Sequence, residues 1–117
     1  MVQSKFFNMG QILITRGISE TVGESERFAA EVVLALHRFA MKDWGDLDAE
    51  DIKANEEELS NSDDLYLLAA YKTSKGRIWI ITNRISEKAG DNATTVLFPY
   101  DRSGKLDFGY KGGKRGH

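Results

Sequence analysis

The run Arg77-Ile78-Trp79-Ile80-Ile81-Thr82-Asn83-Arg84 constrains this chain more than any other feature. Its four consecutive apolar residues are too few for a helix and contain no polar break, so they predict a strand buried on both faces. Residues 65–72 before it and 94–99 after it have similar β-branched and aromatic character, and short connections bring both within pairing distance. The spacing places 77–84 in the middle of a sheet. Residues 65–72 form an antiparallel hairpin with it through Thr73-Ser74-Lys75-Gly76. Pro99 ends the third segment, because it has no N–H to give to a ladder. A further strand is expected at Gln11-Ile12-Leu13-Ile14-Thr15-Arg16, ended by Gly17 and joining the sheet from beyond a helix.

Helical periodicity occurs between these strands. In residues 25–41, Phe28, Val32, Leu36 and Phe39 recur at spacings of four, four and three, with Ala29, Val33 and Ala40 widening the apolar stripe. Ser25 is the expected N-cap. A second helix is expected to start at Asp48, with Asp51 at N3 and Leu47 and Ile52 placed as a hydrophobic staple. Its interior offers only Ile52 and Leu59 as a thin apolar seam, so it should lie at the surface. Ile18–Val22 fits a single helical turn or a loop equally well, and the turn Asp43-Trp44-Gly45-Asp46 is expected to place a positive φ on Gly45 at a helix end. The expected fold class is α+β, in the order β-α-α-β-β-β, with one or two helices on a mainly antiparallel sheet of three or four strands.

Composition sets the limits on function. At 117 residues there is room for one domain, assigned to 1–101, followed by a flexible, basic, Gly-rich tail at 102–117. Apolar residues at 41% and charged residues at 29% are ordinary for a globular chain, so the bulk should fold. The chain has no cysteine, which removes disulfides, thiolate nucleophiles and cysteine zinc sites. Neither a membrane span nor a signal-peptide core can be found in the apolar runs, and a cytoplasmic protein is the expectation.

Catalytic constellations are also sparse. The two histidines are His37, beside a core position of the first long helix, and His117 at the last position. Asp43, Asp46 and Asp91 would be the ligands of a magnesium-dependent hydrolase, yet no calcium-loop or paired-histidine motif is present. Gly109, Gly112, Gly113 and Lys114 lack the preceding strand and following helix that a phosphate loop needs. The reading therefore favours a non-enzymatic chain with no cofactor.

Charge is distributed very unevenly. Residues 43–64 contain ten carboxylates against Lys53 alone, a net −9, whereas 102–117 contain five basic residues against Asp107, a net +4. A row of carboxylates along a helix presents negative charge much as a phosphate backbone does, and would attract the basic groove of a protein that binds nucleic acid. The candidate binding residues are Asp46, Asp48, Glu50, Asp51, Glu56, Glu57 and Glu58. Trp44 reads either as a plug at the end of the core or as a surface anchor beside them. The alternative is direct binding of nucleic acid through Arg77, Arg84 and the basic tail. Pairing of a sheet edge at 11–16 or 94–98 between two copies is compatible with either.

Four segments in order, Gln11-Ile12-Leu13-Ile14-Thr15-Arg16-Gly17-Ile18, Asp43-Trp44-Gly45-Asp46-Leu47 with Asp51 and Asn55, Ile78-Trp79-Ile80-Ile81-Thr82, and Thr94-Thr95-Val96-Leu97-Phe98-Pro99, resemble a family of small uncharacterised proteins. Members of that family come from bacterial plasmids, prophages and integrative elements. The resemblance spans Gln11 to Tyr100, and the chain departs from the family pattern in the connection 83–93 and in its tail. No catalytic residues come with the resemblance. It implies a mobile-element accessory protein, a kind that commonly blunts host restriction or CRISPR defences. Together with the acidic segment it suggests an anti-CRISPR or anti-restriction inhibitor whose partner is the basic surface of a host nucleic-acid-processing protein or defence complex.

Overall fold

The computed structural model describes residues 2–60, 65–88 and 90–102. The strands are β1 (Gln11–Ile14), β2 (Tyr66–Thr73), β3 (Gly76–Arg84) and β4 (Asn92–Leu97), and the helices α1 (Arg16–Glu24), α2 (Glu26–Ala40) and α3 (Ala49–Leu59). The chain is an α+β fold. Its sheet has the order β1-β4-β3-β2, in which β2, β3 and β4 are antiparallel neighbours and β1 pairs parallel with β4. The expected central position of β3 and its hairpin with β2 are both present. β4, considered above as a free edge, is paired on both sides, because β1 lies along its outer flank and the three helices carry the chain from there to β2 at the opposite edge.

One face of the sheet is covered by α1 and α2. Phe28, Val32, Leu36 and Phe39 of α2 and Ile18 of α1 pack on Leu67, Ala69, Tyr71, Ile78, Ile80 and Val96. Phe28 stacks on Phe98 at 5.7 Å between ring centroids. Val33, expected to widen the stripe, instead faces solvent with Leu34 and Met41. The opposite face carries a separate apolar cluster of Tyr66, Ile81 and Leu97, flanked by Leu68 and Trp79, and among the described residues no helix residue belongs to it.

The segment 16–24, left open above, is helical. Its glycines and β-branched residues are poor helix formers, so local propensity favours neither state. A long-range clamp decides it. Thr15 caps the helix by accepting the Ile18 N–H, and its hydroxyl donates to Asp101 at 2.7 Å. Asp101 also accepts the Phe98 N–H at 3.0 Å within the closing 3₁₀ turn Pro99–Arg102.

α3 starts as expected, with the Asp48 carboxylate accepting the Asp51 N–H at 2.9 Å. Its inner surface differs from expectation. Ile52 is exposed, and the fully buried residue of α3 is Asn55. The Asn55 side-chain amide donates to the Leu68 carbonyl at 2.7 Å, and its oxygen accepts the Leu68 N–H at 3.2 Å. A carboxamide thus stands where the next strand would be, satisfying both outward groups of an edge residue. Two further contacts extend this seal: Ala70 gives its N–H to Trp44 O and accepts the Asp46 N–H, while Glu58 accepts the Tyr66 N–H.

Asn55→Ala leaves two buried backbone groups of Leu68 without partners and should cost about 2–4 kcal/mol of stability. Ile52→Ala, at an exposed position of the same helix, should cost less than about 1 kcal/mol. Urea denaturation of both variants checks the contrast, and equal effects would show that the carboxamide bridge is not what holds α3 in place.

Candidate functional site

The acidic segment begins where α2 ends. Met41 caps that helix, and Lys42 adopts the left-handed conformation at φ 66° so that the Asp43 N–H returns to Arg38 O at 2.9 Å. The left-handed residue at this helix end is therefore Lys42 rather than Gly45. Gly45, at φ 74°, serves the bridge to β2 instead, since an added Cβ would lie 1.9 Å from the Ala70 carbonyl oxygen. Asp43 is held from three sides. Its carboxylate accepts from Arg38 at 2.8 and 3.3 Å and from the Gly45 N–H at 3.2 Å, and its carbonyl accepts the Tyr71 hydroxyl at 2.7 Å. The Arg38 guanidinium lies over the Tyr71 ring at 5.0 Å, and burial pushes the Tyr71 phenol well above its ordinary value.

Trp44 is a core residue. It is 4% exposed, packs on Phe39 at 5.4 Å and on Phe7 at 6.2 Å, and donates its indole N–H to Glu56 at 3.1 Å. Of the two readings of this residue the plug is the one realised. Trp44 leaves the list of surface contacts, because the aromatic cluster at the end of α2 encloses its ring.

The other candidate residues divide into two groups. Asp48 caps α3 and Glu56 holds the indole of Trp44 within the segment, while Glu58 fastens it to the sheet at Tyr66. With Asn55 turned inward, helical geometry points Glu50, Lys53 and Glu57 away from the sheet, while half-buried Asp51, four residues before Asn55, shares its face and Asp46 stands in the preceding turn. Asp46, Asp48, Glu50 and Glu57 are exposed. The ion pairs among the described residues are Arg16–Glu20, Arg27–Glu31 and Arg38–Asp43, and none of them neutralises Asp46, Asp48, Glu50, Asp51, Glu56 or Glu57. In the sequence Asn55 stands with Glu56 between Ile52 and Leu59 of the thin apolar seam, and no local pattern assigns it the edge of β2.

The remaining candidates do not converge. Arg77 and Arg84 stand at opposite ends of β3, about 24 Å apart at strand rise. Asp43 lies beside Tyr71, opposite Ile78, while Asp91 accepts the Ser86 hydroxyl in the connection beyond Arg84. Among the described residues no three metal-capable side chains come together. His37 is exposed on α2, and the Gly109–Lys114 motif, His117 and all tail residues beyond Arg102 lie outside the described residues. A cleft of about 240 Å³ lined by Gln3, Ser4, Phe7, Asn8, Met9 and Gly10 has no charged side chain. No helix among the described residues is long and apolar enough to cross a membrane. No family model, curated protein or solved structure matches the chain.

The Asp43 carboxyl is held below its ordinary value of 3.8, chiefly by the hydrogen bond from Arg38. Glu31, which accepts the Ser74 hydroxyl and N–H, is lowered in the same way. A folded-state value below the unfolded one adds stability above the unfolded value, and that stability is lost as pH falls through the folded one. The difference in melting temperature between the parent chain and Asp43→Asn should therefore shrink as pH is lowered from about 6 to about 2.5. Thermal denaturation across that range measures it, and a constant difference would rule out the linkage.

Proposed function

We propose that the chain is a non-enzymatic interaction protein whose α3 ridge engages the basic surface of a protein that binds nucleic acid. The observation that supports this reading most is the ridge itself: exposed carboxylates with no ion-pair partner among the described residues, on a helix fastened to the sheet by Asn55. Charge of one sign on a rigid support raises encounter rates with an oppositely charged groove, and the fixed spacing adds selectivity. Asp46, Glu50 and Glu57 are the contact residues of this reading, and Asp51 adds its charge from the first turn of α3. Asp48, Glu56 and Glu58 contribute their charge to the same field while holding the helix in place. The resemblance to small proteins of plasmids, prophages and integrative elements supports the finer reading, an accessory protein that inhibits a host restriction or CRISPR component in the cytoplasm. Direct nucleic-acid binding gains nothing from the separated positions of Arg77 and Arg84.

The test uses the full chain as a competitor. Proteins of a bacterial lysate are bound to immobilised duplex DNA, the chain is added, and the released proteins are identified. The chain should release a defined DNA-binding protein, and Glu50→Lys combined with Glu57→Lys should weaken that release by about tenfold or more. Release of nothing by the parent chain would refute the reading. Retention of the chain on the DNA itself, with affinity falling steeply with salt, would replace it by the nucleic-acid alternative.

A further inference from the structure

α2 carries more apolar surface than the core takes up. Eight of the nine residues Phe28-Ala29-Ala30-Glu31-Val32-Val33-Leu34-Ala35-Leu36 are apolar, and a helix that is apolar nearly all round is ordinarily covered nearly all round. The core takes the stripe of Phe28, Val32, Leu36 and Phe39, with Ala35 beside them. On the opposite side Val33 is 50% exposed, Leu34 60% and Met41 61%, and Ala30 and His37 are exposed with them. Phe6, itself 45% exposed, adjoins the C-terminal end of this surface: the Lys42 ammonium lies 4.6 Å from its ring centroid, and Ser4 donates to Ala40 O at 2.7 Å.

The outward residues form a regular seam. Arg27, Ala30, Leu34, His37 and Met41 follow one another at spacings of three, four, three and four, the repeat at which two helices pack side by side. Leu34 is its midpoint. The charges along the helix are self-complementary about that point. Arg27 and Arg38 are neutralised within the chain by Glu31 and Asp43, whereas Glu26 and Lys42 belong to no ion pair among the described residues. Glu26 stands eight residues before Leu34 and Lys42 eight residues after it. A two-fold axis at Leu34 therefore brings Glu26 of each chain opposite Lys42 of the partner subunit and sets the two helix dipoles antiparallel. A parallel pair would instead set like charges against each other at both ends.

We propose that the outer face of α2 docks on the same face of a second copy of the chain, as an antiparallel helix pair about a two-fold axis at Leu34. Leu34 packs on Leu34 of the partner subunit, Ala30 lies opposite His37 of the partner subunit, and Met41 covers the stem of Arg27 of the partner subunit. The small side chain of Ala30 lets the axes approach to about 8–10 Å. Ion pairs of Glu26 with Lys42 of the partner subunit close both ends. The face is about 22 Å long and about 10 Å wide, smaller than the roughly 800 Å² that each side of a standard interface buries, so the association is weak and reversible.

Sedimentation equilibrium of the full chain, from about 5 µM to about 1 mM, should show a monomer–dimer equilibrium. Leu34→Glu, at a position outside the core, should weaken dimerisation about tenfold or more while leaving the melting temperature of the dilute monomer unchanged. Glu26→Lys should weaken it severalfold by setting a lysine against Lys42 of the partner subunit, and adding Lys42→Glu to that variant should restore it. A chain that stays monomeric over the whole range overturns the proposal, leaving the face to some other molecule. A dimer indifferent to Leu34→Glu overturns it as well, since such a dimer uses another surface. So does failure of the charge reversal to restore association, because the antiparallel pairing is then wrong.

Discussion

The carboxamide of Asn55 is what the arrangement of the acidic segment depends on. An edge strand presents a row of unpaired N–H and C=O groups, and β2 is such a strand with an apolar sheet behind it. Asn55 supplies one donor and one acceptor to Leu68, the two groups that a neighbouring peptide would supply. Only a side-chain amide combines the two functions at that length: aspartate lacks the donor, and leucine lacks both. With Leu68 satisfied in the middle, Trp44 and Asp46 close the edge at Ala70 and Glu58 closes it at Tyr66. One segment therefore seals the strand from Tyr66 to Ala70, and the direction in which α3 shows its carboxylates follows from that seal.

Concentrating carboxylates on a short helix costs stability through self-repulsion, and α3 has few apolar contacts to offset it. The acids are tolerated because several of them are also ligands of the fold. Asp48 satisfies an end N–H, Glu56 satisfies the indole of a buried tryptophan, and Glu58 satisfies an edge amide. Those duties do not explain the side chains of Asp46, Glu50 or Glu57, which are exposed and have no ion-pair partner among the described residues. Structural need accounts for part of the acidic segment, and the remainder is where a partner reading has to stand.

Legibility in the sequence followed the range of the forces involved. β3 was readable because four apolar residues in a row leave no exposed face, and α2 was readable because Phe28, Val32, Leu36 and Phe39 repeat at helical spacing. The hairpin turn at Thr73–Gly76 followed from its short length and its glycine. α1 was not readable, since its N-cap is locked by Asp101, 86 residues away. Asn55 was not readable either, because a polar residue in an apolar seam signals a weak helix unless the strand needing it is known. The acidic charge of 43–64 could be counted, but which carboxylates face inward depends on that same contact.

The two edges of the sheet are treated differently, and this narrows where association can occur. β2 is sealed by α3, while β1 is protected mainly by being short: four residues, entered at Gly10 and followed at Thr15 by the cap of α1. Leu13 and Ile14 are exposed there. A strand of four residues that turns at once into a helix offers few consecutive backbone groups for pairing with another chain, so edge-to-edge addition at β1 is limited in length whatever its apolar character. Pairing through β4, open in the sequence, is closed by β1 itself. The surface left for a basic partner is thus a face rather than an edge: the acidic ridge, whose charge points outward because Asn55 points inward.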